Sequence, residues 1–514
     1  MVEQVFLGSF GRTGIHNGCI VIPNHKEVLK LKGENIFKGF GFIFISLMLN
    51  SFSNGYSAVV NENEAVEIAN LWYAMELNSG YLKVDDVDRA AKFSRLLRYK
   101  VLYLVSRDDL LDTPPDKSEI LAYVIKYEPS GFVVVSGEDH IQPIIVFSAD
   151  SEFRWDQPEF NFLRYFLGKE MVKRWEKLEI DVHPNWTTLR ARVQEGKRLE
   201  EVTLETPEAI FVQWETALWH QSPFYNDVVI ANNGNIPDIA TGCTATAMAI
   251  KMRFHEWPLI GNSSHSYTDN EGSVQYSHSI NFGAQTYIWS NMPTTSLTAP
   301  NLDVANLMYH CGVAVDMDYE VRLSGAWPSA SSMNNYFRYK GTIQKTSAHE
   351  EPMITSIRGA LPVVLSTTDH TVVADGYRDT MSPYFHLNVG WNGASNGWYN
   401  LDQIPGDDDP TIDRSYPYCS PNNYIYVDSD WTGSENGNIQ NPFNTLAEGE
   451  TSVPSDGQLW IKEGTYAGAG NIPITFDNPM TIRTYQGTAI VEDRLSLTTL
   501  GRIWIYGSGS LKIY

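Results

Sequence analysis

Cysteine and basic side chains are both scarce in this sequence. Its 514 residues include four cysteines. The 38 lysines and arginines are outnumbered by 61 aspartates and glutamates, which gives a formal net charge of -23. Four cysteines are too few for a disulfide scaffold, and they lack the spacing of a zinc site. So negative a chain has no basic stripe to neutralise phosphates or an anionic membrane surface. The composition therefore argues against a metal protein and against a nucleic-acid-binding protein.

A hydrophobic run of membrane-spanning length is also missing near the N-terminus. The apolar stretch at 39–49, GFGFIFISLML, has about eleven residues, short of the roughly 20 that a spanning helix requires. Lys30, Lys32 and Lys38 precede it closely, and small residues follow around 57–58. This order is typical of a secretory signal peptide, so we assign residues 1–58 to a signal peptide region. The lysines favour a true translation start near residue 31. A membrane anchor is the alternative.

The rest of the chain is too long for one compact core, and its composition and sequence pattern change from one region to the next. Residues 59–153 pair a helical pattern with strand-like runs and predict a small α+β unit. Residues 154–208 are rich in charged and helix-forming residues, which favours an exposed connector open to cleavage. Residues 209–413 are rich in aromatic, glycine and asparagine residues, as in a packed enzyme domain. Residues 421–514 consist of short β runs divided by glycine and asparagine turns.

The segment TGCTATAMAIKMRFHEWP, residues 241–258, predicts a helix with a cysteine in its first turn. Helix-forming residues follow Cys243 until Pro258. The partial positive charge at a helix N-terminus favours a thiolate and lowers a cysteine pKa that is about 8.5 when unperturbed. Considered alone, however, a cysteine at a helix start is more often a packed side chain than a nucleophile. The choice depends on whether the chain supplies partners for a nucleophile.

A histidine and an asparagine in suitable contexts lie downstream. His370 stands at the start of a β-rich run, TVVADGY, 127 positions after Cys243 (370 − 243), and Asn388 follows eighteen positions later (388 − 370). A nucleophilic cysteine needs a histidine as proton acceptor and donor, and a third group to hold the imidazole. The order and spacing of the three residues are close to those of papain-like peptidases.

Several segments resemble the streptopain family of secreted bacterial cysteine peptidases. The nucleophile segment is similar to residues 241–258, and the family's HVNWGWGG…G segment is similar to YFHLNVGWNGASNGWYNLD. ALWHQSPFYN and VANLMYHCGVAVDMDYE also have counterparts in order, so the likeness covers roughly residues 60–405. It implies a papain-like α+β catalytic domain at 209–413, an inhibitory propeptide at 59–153, a linker and processing region at 154–208, and synthesis as a zymogen.

The resemblance also implies the roles of four residues. Cys243 corresponds to the nucleophile, His370 to the general acid and base, and Asn388 to the residue that orients the imidazole. Gln221 corresponds to the glutamine whose amide joins the nucleophile's backbone N–H in the oxyanion hole. An ordinary loop glutamine is the alternative for Gln221, because its pairing with Cys243 depends on the intervening loop closing back.

The sequence departs from the family at positions beside the site. The family usually has tryptophan directly after the orienting asparagine, whereas Val389 stands here and the next aromatic residue is Trp391, which we expect to shield the histidine or to contact substrate. Asp369 replaces the glycine that commonly precedes the histidine, and its carboxylate either raises the pKa of His370 or points to solvent.

The loop that borders the family's substrate site is altered to VRLSGAWPSASS, residues 321–332. Ser324 and Gly325 are our further candidates for substrate binding, with Trp327 and Pro328 changing the character of the loop. A different subsite preference is therefore expected.

The remaining cysteines and the C-terminal stretch are weaker candidates for a functional site. Cys311 and Cys419 are interpreted as structural or unremarkable thiols, and His386 as a framework residue. Residues 421–514 resemble the opening of a right-handed parallel β-helix through YVD, NPF and GTY elements. So short a stretch supplies too few coils for a complete solenoid.

Together these features predict a secreted bacterial cysteine endopeptidase with no cofactor. Its partners would be protein or peptide substrates and its own propeptide as an intramolecular inhibitor, with no nucleic acid and no membrane span after signal cleavage. Two alternatives stay open. One is an inactive streptopain-like binding or inhibitory protein, and the other is a polysaccharide-binding or lyase protein dominated by the β-helix part.

Overall fold

A computed structural model describes the chain from residue 59 onwards, with gaps. The described residues are 59–78, 97–106, 109–116, 119–155, 162–177, 182–198, 211–271, 274–321, 324–367, 370–379, 382–401, 412–491, 495–497, 502–503 and 510–513. The predicted signal peptide region and Asp369 lie outside them. Across the described ranges, every helix is too short or too polar to cross a membrane.

The N-terminal region forms a helix and a set of antiparallel strands, in agreement with its sequence pattern. These elements are α1 (Glu62–Asn78), β1 (Tyr99–Leu104), β2 (Leu110–Leu111), β3 (Ala122–Tyr127), β4 (Phe132–Ser136) and β5 (Ile144–Ser148). Successive side chains of a strand point to opposite faces of the sheet. Val133 and Val135 therefore pack toward α1, whereas Val134 packs into a second core on the other face.

The connector predicted for residues 154–208 is not an exposed segment where the structure describes it. It contains the helices α2 (Phe162–Lys177) and α3 (Pro184–Arg198). Phe166 and Met171 of α2 and Trp186 of α3 are fully buried. In both helices, apolar residues recur at helical spacing between charged residues and form one buried face. The many charged residues made this pattern hard to recognise in the sequence. The expectation of an exposed connector was wrong for these two helices.

The next part of the chain has a helical half and a β half. Its elements are β6 (Phe211–Gln213), α4 (Asp227–Asn232), α5 (Cys243–His255), β7 (Ser264–Glu271), β8 (Val274–Asn281), α6 (Leu302–Val313), α7 (Ala330–Phe337), β9 (Tyr339–Lys340), α8 (Glu350–Arg358), β10 (Val363–Ser366), β11 (Thr371–Asp379), β12 (Pro383–Asn388), β13 (Gly397–Tyr399) and β14 (Arg414–Tyr416). The helix α5 is buried along most of its length and shares one core with α6. The fold is α+β, as predicted.

One antiparallel sheet joins the N-terminal strands to the β half. Its order is β14-β10-β11-β12-β13-β5-β4-β3-β1-β2, with β6 paired to β11. The junction is the pair β13 and β5, in which Trp398 lies opposite Phe147. The guanidinium of Arg174, on α2, also donates to the side chain of Asn400 at 2.8 Å and to its backbone carbonyl at 2.6 Å. The N-terminal region is thus held to the β half by backbone and side-chain hydrogen bonds.

The C-terminal part stacks strands in parallel. Its elements are β15 (Ser420–Pro421), β16 (Tyr424–Val427), α9 (Leu446–Ser452), β17 (Gly457–Tyr466), β18 (Ile474–Phe476), β19 (Met480–Val491), β20 (Leu495–Leu497), β21 (Arg502–Ile503) and β22 (Ser510–Ile513). Ile425, Leu459 and Ile482 align from one strand to the next, which agrees with the predicted rungs. The helix α9 was not predicted. It begins at a Thr445 cap that accepts from the backbone N–H of Glu448, the first half of a capping box.

The position of Cys243 depends on the glycine before it. Gly242 has φ 86° and ψ 141°, a conformation that essentially only glycine adopts without strain. A Cβ atom on Gly242 would lie 2.6 Å from the sulfur of Met317 and 3.1 Å from the carbonyl oxygen of Ser324. The chain therefore turns into α5 so that Cys243 is its first residue.

Substitution Gly242→Ala should destabilise the protein by about 2–4 kcal/mol, because backbone strain adds to overpacking against Met317. Urea unfolding of the full chain measures this change. Gly283→Ala is the matched control, since φ there is not positive and the nearest atom to an added Cβ lies at 3.4 Å. A similar loss in both variants would contradict the assignment.

Candidate active site

The fold brings Cys243 and His370 together. Cys243 begins α5, and His370 directly precedes β11. The imidazole of His370 lies near enough to the thiol of Cys243 for its charge to lower the pKa of the thiol. Gln221, Asn388 and Val389 line the same cleft as Cys243. Residues that are far apart in the sequence are therefore brought together, as the order of cysteine, histidine and asparagine predicts.

The surroundings of Cys243 favour its thiolate. Burial raises the pKa of the thiol, but the charge of His370 and hydrogen bonds from His370 and Thr371 outweigh burial, so the pKa lies below that of an ordinary cysteine. An imidazolium beside a thiolate stabilises both charges. Cys243 is also partly exposed, so a reagent or substrate can reach it.

Thr371 is a site residue that the sequence analysis missed. Hydrogen bonding by its side chain and its backbone helps to lower the pKa of Cys243. The Thr371 hydroxyl also lies 3.0 Å from that of Thr244 and 2.8 Å from that of Ser366. A threonine at the start of a strand is ordinary, so nothing in the sequence distinguishes this one. The hydroxyl cluster holds the first residue of β11 against the start of α5.

The imidazole of His370 is held on its other side by a backbone carbonyl. Its Nε2 lies 3.0 Å from the oxygen of Val389, and the ring is buried. Because a carbonyl oxygen only accepts hydrogen bonds, Nε2 carries a proton. This contact fixes the tautomer, and the nitrogen left to exchange a proton with Cys243 is Nδ1.

Asn388 does not orient the imidazole through its side chain, contrary to the sequence-based expectation. Its amide nitrogen donates to the hydroxyl of Thr216 and to the carbonyl of Ala217, each at 2.9 Å, and its oxygen accepts from the backbone N–H of Gly390 at 3.1 Å. These three bonds turn the chain after β12 so that the next carbonyl, that of Val389, faces His370. Asn388 therefore acts on the ring through the backbone.

Gln221 has the properties expected of an oxyanion-hole residue. Its side chain is 3% exposed, yet neither its amide nitrogen nor its amide oxygen has a hydrogen-bond partner among the described residues. A buried amide without partners is costly in a protein interior. The backbone N–H of Cys243, the first of α5, also has no carbonyl within the helix to bind. Two donors thus face the cleft beside the thiol.

Two aromatic rings lie against the imidazole of His370. The ring of Trp391 stacks near it with centroids 6.1 Å apart, which agrees with the predicted shielding role of Trp391. The ring of Phe162, from the first turn of α2, lies 6.2 Å from the imidazole centroid and is buried. Phe162 was not predicted as a site residue, because the segment that contains it reads as a connector.

Ser324 and Gly325 are less suited to substrate binding than we expected. Ser324 is 4% exposed, and its hydroxyl closes a turn by accepting from the backbone N–H of Glu320 and donating to its carbonyl. Gly325 exchanges two backbone hydrogen bonds with Asp318. Their hydrogen-bonding groups are therefore used within the loop.

The other thiols are buried and unreactive in character. Cys311 and Cys419 form no disulfide, and burial raises the pKa of each. His386, predicted as a framework residue, binds the carboxylate of Asp375 at 2.5 Å. In the described parts of the chain, we find no group of three histidine, cysteine or acidic residues placed to hold a metal ion.

Comparison with known proteins finds a peptidase family, a protease inhibitor and thiol proteases. Residues 219–399 match the Peptidase C10 family, and residues 57–169 match the Spi protease inhibitor. Streptopain of Streptococcus pyogenes is 26% identical over 306 residues, which cover 55% of this chain and 74% of streptopain. The thiol protease/hemagglutinin PrtT of Porphyromonas gingivalis is 26% identical over 329 residues, 58% of this chain and 36% of PrtT.

Solved structures of the same kind are also similar. Prointerpain A of Prevotella intermedia is 23% identical with a TM-score of 0.46, over 62% of this chain and 98% of that one. Active interpain A of the same organism is 25% identical with a TM-score of 0.34, over 41% of this chain and 98% of that one.

The matched families define a cysteine-type peptidase that carries an inhibitory domain of the Spi type at its N-terminal side. Within that class, residues 219–399 are similar to the Peptidase C10 family.

The pH dependence of thiol alkylation tests the pairing of Cys243 with His370. With iodoacetamide, the midpoint of the rate against pH should lie below that of a free cysteine, about 8.5, because the thiolate persists to lower pH. In His370→Ala, burial still raises the pKa while the main opposing charge is gone, so the midpoint should move upward. His265→Ala is the control, since His265 pairs with Asp316 away from the thiol. An unchanged midpoint in His370→Ala would contradict the pairing.

Proposed function

We propose that the protein is a secreted cysteine endopeptidase, made as a zymogen, that cleaves peptide bonds through Cys243 and His370. The observation that carries the proposal is the placement of the His370 imidazole beside Cys243, where its charge lowers the pKa of the thiol. In this proposal residues 1–58 are the signal peptide region, and residues 209–413 form the catalytic domain. Residues 421–514 are a partial β-helix-like appendage.

The first chemical step is attack by the Cys243 thiolate on the carbonyl carbon of a peptide. A C–S bond forms, and the carbonyl oxygen takes the electron pair and becomes an oxyanion. The side-chain amide of Gln221 and the backbone N–H of Cys243 donate hydrogen bonds to that oxygen. The Gln221 amide suits this task because it is buried and has no partner among the described residues. Loss of one such donor typically lowers kcat by about 100- to 1,000-fold.

His370 donates a proton in the first half of the reaction and accepts one in the second half. As an imidazolium it donates the Nδ1 proton to the leaving amine nitrogen, so the C–N bond breaks and a thioester with Cys243 remains. Neutral His370 then takes a proton from water, and the hydroxide attacks the thioester and releases the acid and the thiolate. The carbonyl of Val389 supports this cycle because it holds the Nε2 proton and favours the imidazolium. Asn388 contributes by fixing the turn that aims this carbonyl.

Latency in this proposal comes from the N-terminal region. We assign residues 59–153 to the propeptide and add α2 to its inhibitory part, with the remainder of 154–208 as the processing region. Phe162 covers one side of His370, and the pairing of β5 with β13 anchors the region to the catalytic sheet. A peptide substrate would have to displace Phe162 to reach the imidazole from that side.

Maturation of Cys243→Ala tests the proposed nucleophile. The wild-type chain should convert to a shorter form and take one label from an epoxysuccinyl inhibitor, whereas Cys243→Ala should stay full length and unlabelled. A gel with fluorescent inhibitor measures both. Addition of active wild-type enzyme should process Cys243→Ala, which shows that the variant is folded and cleavable. If the wild type stays intact and unlabelled even after added protease and reductant, the protein is a binding scaffold instead.

The contact of Phe162 with His370 generates a separate prediction. Phe162→Ala should increase the initial rate of self-processing severalfold, because it uncovers the imidazole. Phe166→Ala is the matched control, since it removes the same ring from the same helix and core but contacts Tyr399 rather than His370. Each should lower stability by about 3–5 kcal/mol. The time course of conversion on a gel compares them, and equal acceleration would attribute the effect to loosening of α2 alone.

A further inference from the structure

His220 stands directly before Gln221 and binds the backbone that carries it. Its Nδ1 accepts hydrogen bonds from the backbone N–H of Gln221 at 2.7 Å and from that of Ser222 at 3.2 Å. One imidazole nitrogen thus closes a tight turn at the residue whose amide faces the cleft. Among the described residues, the other backbone hydrogen bond of Gln221 runs from the N–H of Thr241 to the Gln221 carbonyl, at 3.3 Å.

The arrangement requires a neutral imidazole, because a nitrogen that accepts two hydrogen bonds carries no proton. Burial and the charge of Arg154 lower the pKa of His220 to about 4. The charge that acts on the ring is that of Arg154, whose carboxylate partner Glu152 lies at 3.2 Å, and the phenol of Tyr225 lies near the backbone of His220. His220 is therefore an acceptor at neutral pH.

Trp391 connects His220 to the acid-base residue. The edge-to-face pair of His220 and Trp391 has ring centroids 4.8 Å apart, and Trp391 also stacks near His370 at 6.1 Å. The ring of His220 thus has two separable functions, an acceptor atom for the turn and a packing surface for Trp391. Different substitutions can remove one function and keep the other.

We infer that His220 is a positioning residue of the peptidase, which holds the turn at Gln221 so that the Gln221 amide meets the oxyanion. This inference rests on the proposed function, in which Gln221 is an oxyanion donor. Because the oxyanion exists only after attack, the hydrogen bonds of His220 should affect kcat and leave KM nearly unchanged. The thiol–imidazole pair should be unaffected.

Two substitutions separate the acceptor from the ring. His220→Asn keeps an acceptor on Cγ, and an asparagine side chain naturally binds the backbone N–H two residues on, so the turn is preserved without the ring. His220→Phe keeps a ring against Trp391 but has no acceptor. After the full chain is processed with added protease, kcat and KM are measured at pH 7.5 on one peptide substrate. We expect kcat within about 3-fold of wild type for Asn and about 10- to 100-fold lower for Phe, with KM within about 3-fold in both.

Combination with Gln221→Ala shows whether His220 acts through Gln221. If it does, adding His220→Phe to Gln221→Ala should lower kcat little further, because the donor to be positioned is gone. The inference is overturned if His220→Phe retains wild-type kcat, if His220→Asn falls as far as His220→Phe, or if the two substitutions multiply. Melting temperatures identify a variant that fails to fold, and the Asn variant then still provides the comparison.

Alkylation of Cys243 by iodoacetamide separates this inference from the proposed function. The alkylation rate at pH 7.5 should be the same in the wild type and both His220 variants, because the reaction needs no oxyanion hole. If wild-type Cys243 is alkylated no faster than a free thiol and cleaves no peptide, the proposed function fails first. If wild type is fully active while the kcat pattern above is absent, only the role of His220 fails.

Discussion

The hydrogen bond between Nε2 of His370 and the carbonyl of Val389 is the constraint on which the rest of the site depends. It holds the buried ring in one tautomer and leaves the other nitrogen for Cys243. A backbone carbonyl can do this only if the chain turns at the right place, and the three hydrogen bonds of the Asn388 side chain make that turn. The departure from tryptophan to valine at 389 leaves this contact intact, because the contact uses no side chain of Val389.

The proposed latency likewise depends on backbone hydrogen bonds. The β5–β13 pairing extends the catalytic sheet into the N-terminal region, so the inhibitory domain is attached by the hydrogen bonds that any antiparallel pair forms. The sheet places α2 over the β half, and its first turn brings Phe162 beside His370. Arg174 adds a buried guanidinium whose bonds to Asn400 would be expensive to break. Cleavage of the chain would therefore not by itself detach the inhibitory region.

Several parts of the structure were predictable because they depend on neighbouring residues. The pattern of α5, with cysteine first and small residues after it, identified a buried helix, and the β-rich runs around His370 identified β11 and β12. Parallel rungs in the C-terminal part followed from short β runs between turns. The segment 154–208 was misjudged, because its many charges concealed a helical stripe of residues such as Phe166 and Trp186 that only a neighbouring sheet could bury.

The sequence by itself determined which chemical groups are available, namely a cysteine at a helix start, a histidine before a strand, and a glutamine preceded by a histidine. The tertiary structure alone decided which atoms meet. Every residue has a carbonyl, so no sequence could single out that of Val389, and an asparagine side chain can bind any of several groups within its reach. Partner choice depends on distances of about 3 Å between segments remote in the chain, and those distances exist only after the turns and packing have formed.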